Sequence, residues 1–316
     1  MPALAVLIAG GSKLRPLLFD ADGLSADERV DLAGLPATSL TYRILRDVEA
    51  QIIRHSASVL TRSARSAEIL YHRAGPPVEA AAFHVVANGR DEFAFHPGDA
   101  ETRALVRSEL GIEPSAPVIV YAGSLGPQYR LDAMTSFFRE VQRLRPDARF
   151  LLMTGSPERA GAALSGLGAV IMRAAPDEVP RYLAAADVGL AYRGTSFSMQ
   201  GVAPLKLSEY LLCGLPVVGT SIIGDTKAAI EEGVFFGDEA GSPRAARWFV
   251  NEVLPQPDLY RTRARTVGLV HFSLRRSIEG YARALDHARG RISGPGLSGQ
   301  LSQPQASAED ECDNED

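Results

Sequence analysis

The chain has 316 residues, 46% of them hydrophobic and 22% charged, and carries a net charge of −5. This length is sufficient for two domains with cores of their own. Six of the last eight residues, EDECDNED, are acidic. The rest of the chain is therefore close to neutral, which excludes the basic footprint typical of nucleic-acid binding. The two cysteines have neither disulfide nor zinc spacing, and the apolar run at 4–10 is too short for a bilayer. We expect a cytoplasmic protein.

The first part of the chain alternates between strand and helix patterns. We expect residues 2–9 to form a helix that ends at the Gly10-Gly11 pair. The later elements are a strand PLLFD at 16–20, a helix at 41–56, a strand SVLTR, a helix SARSAEILYHRAG that ends at Gly75, and a strand VEAAAFHVVANG. The turn residues of NGRDEFAFHPGDAETR (88–103) then predict a linker.

The second part shows a clearer alternation of continuous apolar strands with helices. The predicted strands are 118–123, 149–155, 169–174, 187–192 and 216–220, and the predicted helices are 131–144, 157–167, 177–186, 205–214 and 258–289. Strands of this kind indicate a parallel sheet that is covered on both faces. Residues 290–316 have the composition of a disordered tail.

The stretch VAPLKLSEYLLCGLPVVGT (202–220) predicts an anion site. In open parallel sheets, ligands bind at the carboxyl ends of the strands, beside helix N-termini. Pro204 suits a first helical turn, whose free N–H groups can hold phosphate oxygens. Lys206 adds a positive charge, and Glu209, on the same face, can accept hydrogen bonds from two vicinal hydroxyls of a ribose. The alternative is an ordinary amphipathic helix with two solvated charges.

Four motifs resemble, in their order and spacing along the chain, those of the group 1 family of retaining glycosyltransferases, which have the GT-B fold. They are P-x-K-x-x-E-Y-x-x-x-G-x-P-V-V, the interdomain NGRDEFAFHP, the loop YAGSLGPQYRLD, and RDVEAQIIRHSASVLTRSARSAEIL. FDADGLSADERV resembles a further stretch found in some members, so the resemblance covers about 16–290.

The resemblance implies an α/β chain of two Rossmann-like domains, with the N-terminal one incomplete. It implies transfer of a sugar from a nucleotide-diphosphate donor, with retention, to a saccharide or lipid-linked acceptor. No metal and no cofactor beyond the nucleotide sugar are expected, and contact with the cytoplasmic membrane face is expected to be transient.

The resemblance also assigns donor-binding residues, but no catalytic one. Glu209 binds the ribose, Lys206 lies near the phosphates, and Gly123 and Ser124 let the backbone approach the diphosphate. The loop from Arg173 to Val179 flanks the base. Pro204 and Leu205 begin the donor-site helix.

Three positions depart from the family pattern. Gly201 replaces a second glutamate that normally contacts the donor sugar, so the choice of sugar is open. Ser124 and Tyr129 replace the two cations that usually clamp the phosphates. Arg130 is the candidate substitute, and the alternative role for Arg130 is a solvated loop charge.

We expect five segments: a partial acceptor-side domain at 1–87, a linker at 88–98, a donor domain at 99–270, a helix at 271–289 that packs back, and the tail at 290–316. Residues 1–87 provide about half of the length of a usual Rossmann-like acceptor domain, because each βα unit takes about 30 residues. We therefore expect a truncated chain with little transferase activity. The alternative is a catalytically impaired nucleotide-binding fragment or subunit.

RPLLFDADGL also resembles the first motif of haloacid dehalogenase-like phosphatases, with GDTKAAI as an imitation of their later motif. There Asp20 would attack phosphate, Asp22 would act as the acid, and Mg²⁺ would bind. Leu24 replaces the usual threonine, so a strand ending in an Asp/Gly turn is the favoured interpretation. Glu49 is expected to anchor its own helix.

Overall fold

The computed structural model describes residues 16–290 except for Pro127 and Asp225. The helix predicted at 2–9 lies outside the described residues, as does the tail predicted at 290–316 apart from residue 290. None of the helices in the described part of the chain is both long enough and apolar enough to cross a membrane.

The described residues form two separate parallel sheets. The first has the order β1-β2-β3 and the second the order β6-β5-β4-β7-β8-β9, whose central strands are fully buried. The strands are β1 (Leu18–Ala21), β2 (Ser58–Thr61), β3 (Phe83–Val85), β4 (Val118–Ala122), β5 (Arg149–Met153), β6 (Ala169–Met172), β7 (Val188–Ala191), β8 (Val217–Gly219) and β9 (Phe235–Gly237).

Helices cover both sheets, as continuous apolar strands require. They are α1 (Ser25–Asp31), α2 (Leu40–Arg54), α3 (Ala64–Ala74), α4 (Ala100–Glu109), α5 (Leu131–Leu144), α6 (Pro157–Leu164), α7 (Val179–Leu183), α8 (Leu205–Leu212), α9 (Lys227–Glu231), α10 (Pro243–Trp248), α11 (Pro257–His271) and α12 (Leu274–Gly290). Short 3₁₀ turns occupy Ala80–Ala82 and Phe197–Gly201, and a π-helical turn spans Phe249–Val253.

A crossing of two chain segments connects the sheets. The Arg90 N–H donates to the carbonyl of Phe272, and the Leu274 N–H donates to the carbonyl of Arg90. A Cβ at Gly89 would lie 2.2 Å from the Ser273 carbonyl oxygen, so the close approach requires glycine there. Beyond the crossing, α12 packs on the first sheet, where Ser58 Oγ donates to the carbonyl of Ala284 over 2.8 Å.

Three expectations differ from the structure. The linker predicted over 88–103 is shorter, because Asp99 accepts a hydrogen bond from the Thr102 N–H and thereby caps α4. The strand predicted over VEAAAFHVVANG is only three residues long and follows a 3₁₀ turn. The helix predicted over 258–289 is interrupted between α11 and α12, at the crossing.

Candidate functional site

A cavity of about 280 Å³ lies at the carboxyl ends of β4 and β5, beside α8. This is the edge of a parallel sheet where ligands bind. Among the donor-site residues predicted from sequence, Glu209, Gly123, Ser124 and Val179 line it together. Its remaining walls are Arg90, Ala122, Met153, Thr154, Gly155, Ala174 and Pro176. We call it the donor cavity.

Glu209 extends from the second turn of α8 into the donor cavity, where it pairs with Arg90. The distance from Arg90 Nη2 to Glu209 Oε1 is 3.0 Å. Burial raises the pKa of the Glu209 carboxyl, while the positive charges of Arg90 and Lys206 act in the opposite direction. A carboxylate has about four acceptor positions. The ion pair therefore leaves acceptor capacity for hydroxyl groups.

Lys206 lies one turn earlier on α8 and is almost fully buried between two tyrosine rings. Its Nζ is 5.1 Å from the ring centroid of Tyr121 and 4.7 Å from that of Tyr129. Burial, reinforced by the charge of Arg193, lowers the pKa of Lys206 to about 7, and Glu209 opposes this shift. A Cβ at Gly123, whose φ is +149°, would lie 3.3 Å from Lys206 Nζ. Glycine thus keeps the ammonium next to the turn after β4.

Arg193 is a second cation beside Lys206, and the sequence analysis did not predict it. Its Cζ lies 4.7 Å from the ring centroid of Tyr129, the same ring that contacts Lys206. Thr220 fixes the Arg193 backbone by exchanging two hydrogen bonds with it, of 3.0 and 2.9 Å. The buried Arg193 Nε has no hydrogen-bond partner. Tyr129 replaces a clamping cation in the family pattern, but it holds a cation supplied by the loop after β7.

The other motif residues position the turn after β4 and the start of α8. The Ala122 N–H donates to the Tyr210 hydroxyl over 2.8 Å. Asn88 Nδ2 donates to the carbonyl of Ala203, and Ser208 Oγ donates to the carbonyl of Asn88, both over 2.7 Å. The linker motif and the donor-site helix therefore support each other.

Five predicted residues do not line the donor cavity. One of them, Lys206, still lies next to the Gly123 turn in its wall. The Arg130 guanidinium is held by Asp132 at 2.6 Å, so Arg130 is a loop charge. Arg173 is exposed beside the cavity, and Leu205 is exposed on α8. Pro204 precedes α8 as its N-cap and lines a separate crevice with Asn88.

Gly201 packs against the turn that follows β1. A Cβ at Gly201 would lie 2.8 Å from Leu24 Cγ and 3.0 Å from the Leu24 nitrogen. Leu24 is fully buried. The place where the family carries a glutamate toward the donor sugar is therefore filled by the turn after β1.

Asp20 and Asp22, the acidic residues of the phosphatase interpretation, both pair with Arg62. Arg62 Nη2 lies 2.8 Å from Asp20 Oδ2, and Arg62 Nε lies 2.8 Å from Asp22 Oδ1. The Tyr281 hydroxyl accepts from Arg62 Nη1 and donates to Asp20. An aspartate held in this way is a poor nucleophile, because its charge is already neutralised. No metal-ligand cluster occurs among the described residues.

Comparison with known proteins identifies the domain that holds the donor cavity. The family model of the glycosyl transferases group 1 matches residues 116–252. These residues form a group 1 glycosyltransferase domain. Glu209, Gly123 and Val179 all lie within it, whereas Arg90 reaches its cavity from outside.

The group 1 domain belongs to a chain that has structural neighbours over most of its length. The structure of Anabaena HepE with UDP and glucose has a TM-score of 0.64 and 18% identity, covering 90% of this chain and 74% of HepE. WaaG, a glycosyltransferase involved in lipopolysaccharide biosynthesis, has a TM-score of 0.60 and 15% identity, covering 89% of this chain and 76% of WaaG. The predicted fold class, GT-B-like with two Rossmann-like domains, is confirmed.

Sequence relatives extend the match beyond the group 1 domain. The D-inositol 3-phosphate glycosyltransferase of Segniliparus rotundus is 27% identical over 271 residues, which cover 81% of this chain and 57% of the relative. The chain therefore spans about half of the length of the curated relatives that it matches.

Proposed function

We propose that this protein is a glycosyltransferase that takes a sugar from a nucleotide-diphosphate donor and transfers it with retention of configuration. The observation that carries the proposal is the placement of Glu209 and Lys206 at the glycine turn after β4, with Arg193 on the tyrosine ring that Lys206 also contacts. Glu209 binds the ribose hydroxyls. The backbone of Gly123 and Ser124 approaches the diphosphate, and the wall that includes Val179 flanks the base.

The chemistry that this chain supplies is charge stabilisation at the leaving group. As the bond to the sugar breaks, negative charge grows on the diphosphate, and fixed cations in a site shielded from water stabilise it strongly. Lys206 and Arg193 provide that charge on one tyrosine ring. In keeping with the family resemblance, the proposal includes no metal and no organic cofactor.

The relatives support a sugar nucleotide as donor and a hydroxyl-rich acceptor. HepE is described with UDP and glucose, the Segniliparus relative is named for D-inositol 3-phosphate, and WaaG for lipopolysaccharide biosynthesis. We propose a saccharide or lipid-linked acceptor, reached in the cytoplasm or at the inner membrane face. We propose 99–270 as the donor domain, with acceptor contacts from 1–87, across the linker at 88–98, and with 271–289 packing back.

Titration calorimetry on the full chain with UDP and with uridine tests the ribose assignment. Glu209→Ala removes up to two charge-assisted hydrogen bonds of about 1.5–3 kcal/mol each, so both ligands should bind at least roughly tenfold more weakly. Glu140→Ala is the matched control, because Glu140 pairs with Arg143 on the surface of α5. If Glu209→Ala binds both ligands like the wild type, α8 carries only structural charges.

Binding without turnover is the second candidate, and the contact between Gly201 and Leu24 favours it. Leu24 fills the place that the family uses for a glutamate toward the donor sugar. We expect UDP binding with little transfer of glucose from UDP-glucose to a saccharide or lipid-linked acceptor. Rapid transfer to a defined acceptor would contradict this expectation but would support the glycosyltransferase assignment.

A further inference from the structure

A second cavity, of about 520 Å³, lies where the first sheet meets the crossing between α11 and α12. Its walls come from the edge strand β3, from α9 and from the two helices at the crossing. No residue that lines it also lines the donor cavity. We call it the hinge cavity. Its lining includes the aromatic side chains Phe83 and Phe272 and the charged side chains Lys227, Glu231, Arg276 and Arg283.

The charged lining of the hinge cavity is predominantly positive. Lys227, Arg276 and Arg283 contribute three cations, whereas Glu231 is the one carboxylate in the lining. Lys227 lies 3.7 Å from Glu231, and Arg276 pairs with Glu279 at 3.1 Å. Within the described residues, Arg283 has no carboxylate partner. Arg283 is therefore the cation of this lining that no described carboxylate neutralises.

The charge of Arg283 also acts on a histidine of the neighbouring strand β3. The rings of His84, on β3, and His287, on α12, lie 5.2 Å apart. Burial lowers the pKa of His84, and the neighbouring His287 and Arg283 lower it further. An anion bound next to Arg283 would oppose the effect of the Arg283 charge on the pKa of His84.

The rest of the lining combines apolar side chains with the rings of His84 and His271. Phe83 and Val85 contribute from β3, Ala228 from α9, and Phe272 from the crossing. A lining that combines apolar side chains with two arginines suits a ligand that joins an organic body to a compact dianion, because guanidinium groups bind phosphate oxygens in a bidentate manner.

From this geometry we infer that the hinge cavity is a binding site for a phosphate monoester, separate from the donor site. The inference does not depend on the proposed function. Because the ligand would contact the first sheet, the crossing and α9 of the second domain at once, its binding should raise the thermal unfolding midpoint. The phosphate monoester could belong to a soluble metabolite or to a lipid headgroup, and the experiment separates the two.

The test is titration of the full chain with glycerol 3-phosphate, followed by calorimetry and by thermal unfolding, with saturating UDP present. Vesicles that contain phosphatidic acid form the second arm, with sedimentation as the readout. Binding should weaken as salt rises, because the lining is open to solvent. The double variant Arg276→Gln Arg283→Gln should lose at least about tenfold in affinity, since each arginine contributes a charge-assisted pair.

Two controls keep the inference falsifiable. Arg289→Gln removes an exposed arginine of α12 that does not line the cavity, and it should leave binding unchanged. Lys206→Met removes the donor-site cation, and it should also leave binding unchanged. Charge reversal by Arg283→Glu should abolish binding while the far-ultraviolet circular dichroism stays that of the wild type.

Loss of glycerol 3-phosphate binding in Lys206→Met, with retention in the arginine double variant, would place the anion in the donor cavity and overturn the inference. Absence of saturable binding in both arms would overturn it as well. Saturation by glycerol 3-phosphate supports a metabolite, and saturation by vesicles alone supports a lipid headgroup. Failure of UDP to bind would contradict the proposed function, whereas the Lys206→Met arm would still report on the hinge cavity.

Discussion

The depressed pKa of Lys206 predicts that diphosphate binding takes up a proton and weakens as the pH rises. In the free protein, burial between Tyr121 and Tyr129, together with the charge of Arg193, lowers the pKa of Lys206 from 10.5 to about 7, while Glu209 opposes the shift. A diphosphate beside the ammonium restores the charged form. Above pH 7 the complex therefore holds more protons than the free protein, and affinity falls with rising pH.

The size of the effect follows from the two protonation states. If the bound pKa returns close to its ordinary value, the affinity for UDP should fall roughly 15-fold between pH 7 and pH 8.5. Uridine carries no diphosphate, so its affinity should change little. Lys206→Met keeps most of the side-chain volume but cannot titrate, and it should bind UDP more weakly with a nearly flat pH profile.

Calorimetry in two buffers of different ionisation enthalpy provides the measurement, because proton uptake makes the observed heat depend on the buffer. At pH 8 the wild type should take up close to one proton per UDP, and Lys206→Met close to none. A UDP affinity that is constant between pH 7 and pH 8.5, with no uptake of protons, would refute the placement of Lys206 at the diphosphate.

Three further predictions concern stability. Burial raises the pKa of the Glu49 carboxyl to about 7, above the usual 4.5, so the native state binds the extra proton and stability falls as pH rises through this window. In urea unfolding, the free energy of unfolding of Glu49→Gln should fall by roughly 2–3 kcal/mol less than that of the wild type between pH 5 and pH 8. Tyr210→Phe leaves the buried Ala122 N–H without its acceptor, which should cost about 1–3 kcal/mol in the same assay, and an unchanged midpoint would count against this role. Gly201→Ala forces Leu24 to move and should therefore lower the thermal unfolding midpoint by several degrees. An unchanged midpoint would show that the turn after β1 can shift without a cost in stability.

The sequence predicted the second sheet well because its strands carry strong local signals. The runs that became β4, β5 and β7 are continuously apolar, and α5 has the predicted bounds of 131–144. The elements between 221 and 257 received no prediction, since α9 and β9 have only five and three residues. Elements this short depend on tertiary contacts more than on periodicity.

In the candidate site, too, local motifs were predictable from the sequence and tertiary contacts were not. The position of Glu209 and Gly123 at one cavity was predictable, because each residue lies in a sequence motif of its own. Arg193 was not, because its role depends on a contact with Tyr129, which lies 64 positions away. Arg90 stands inside the quoted linker motif, and only the folded chain places it on Glu209. The contact between Arg193 and Tyr129 can be recognised only once the fold brings their two loops together.

The electrostatics of the donor cavity give one reason to treat these residues as a single anion site. Lys206 and Arg193 contact one ring, and the charge of Arg193 makes the charged form of Lys206 less favourable. The Nε atoms of Arg193 and Arg90 are buried without a hydrogen-bond partner, and a buried unpaired donor costs about 1–3 kcal/mol. The carboxylates that act on this cluster are Glu209, whose charge favours the charged form of Lys206, and Glu28, which interacts with Arg193. Neither of them pairs directly with Lys206 or Arg193, because the ion-pair partner of Glu209 is Arg90. A bound diphosphate would satisfy the unpaired donors and the two cations together. The instability of the free arrangement is therefore what the proposed function predicts.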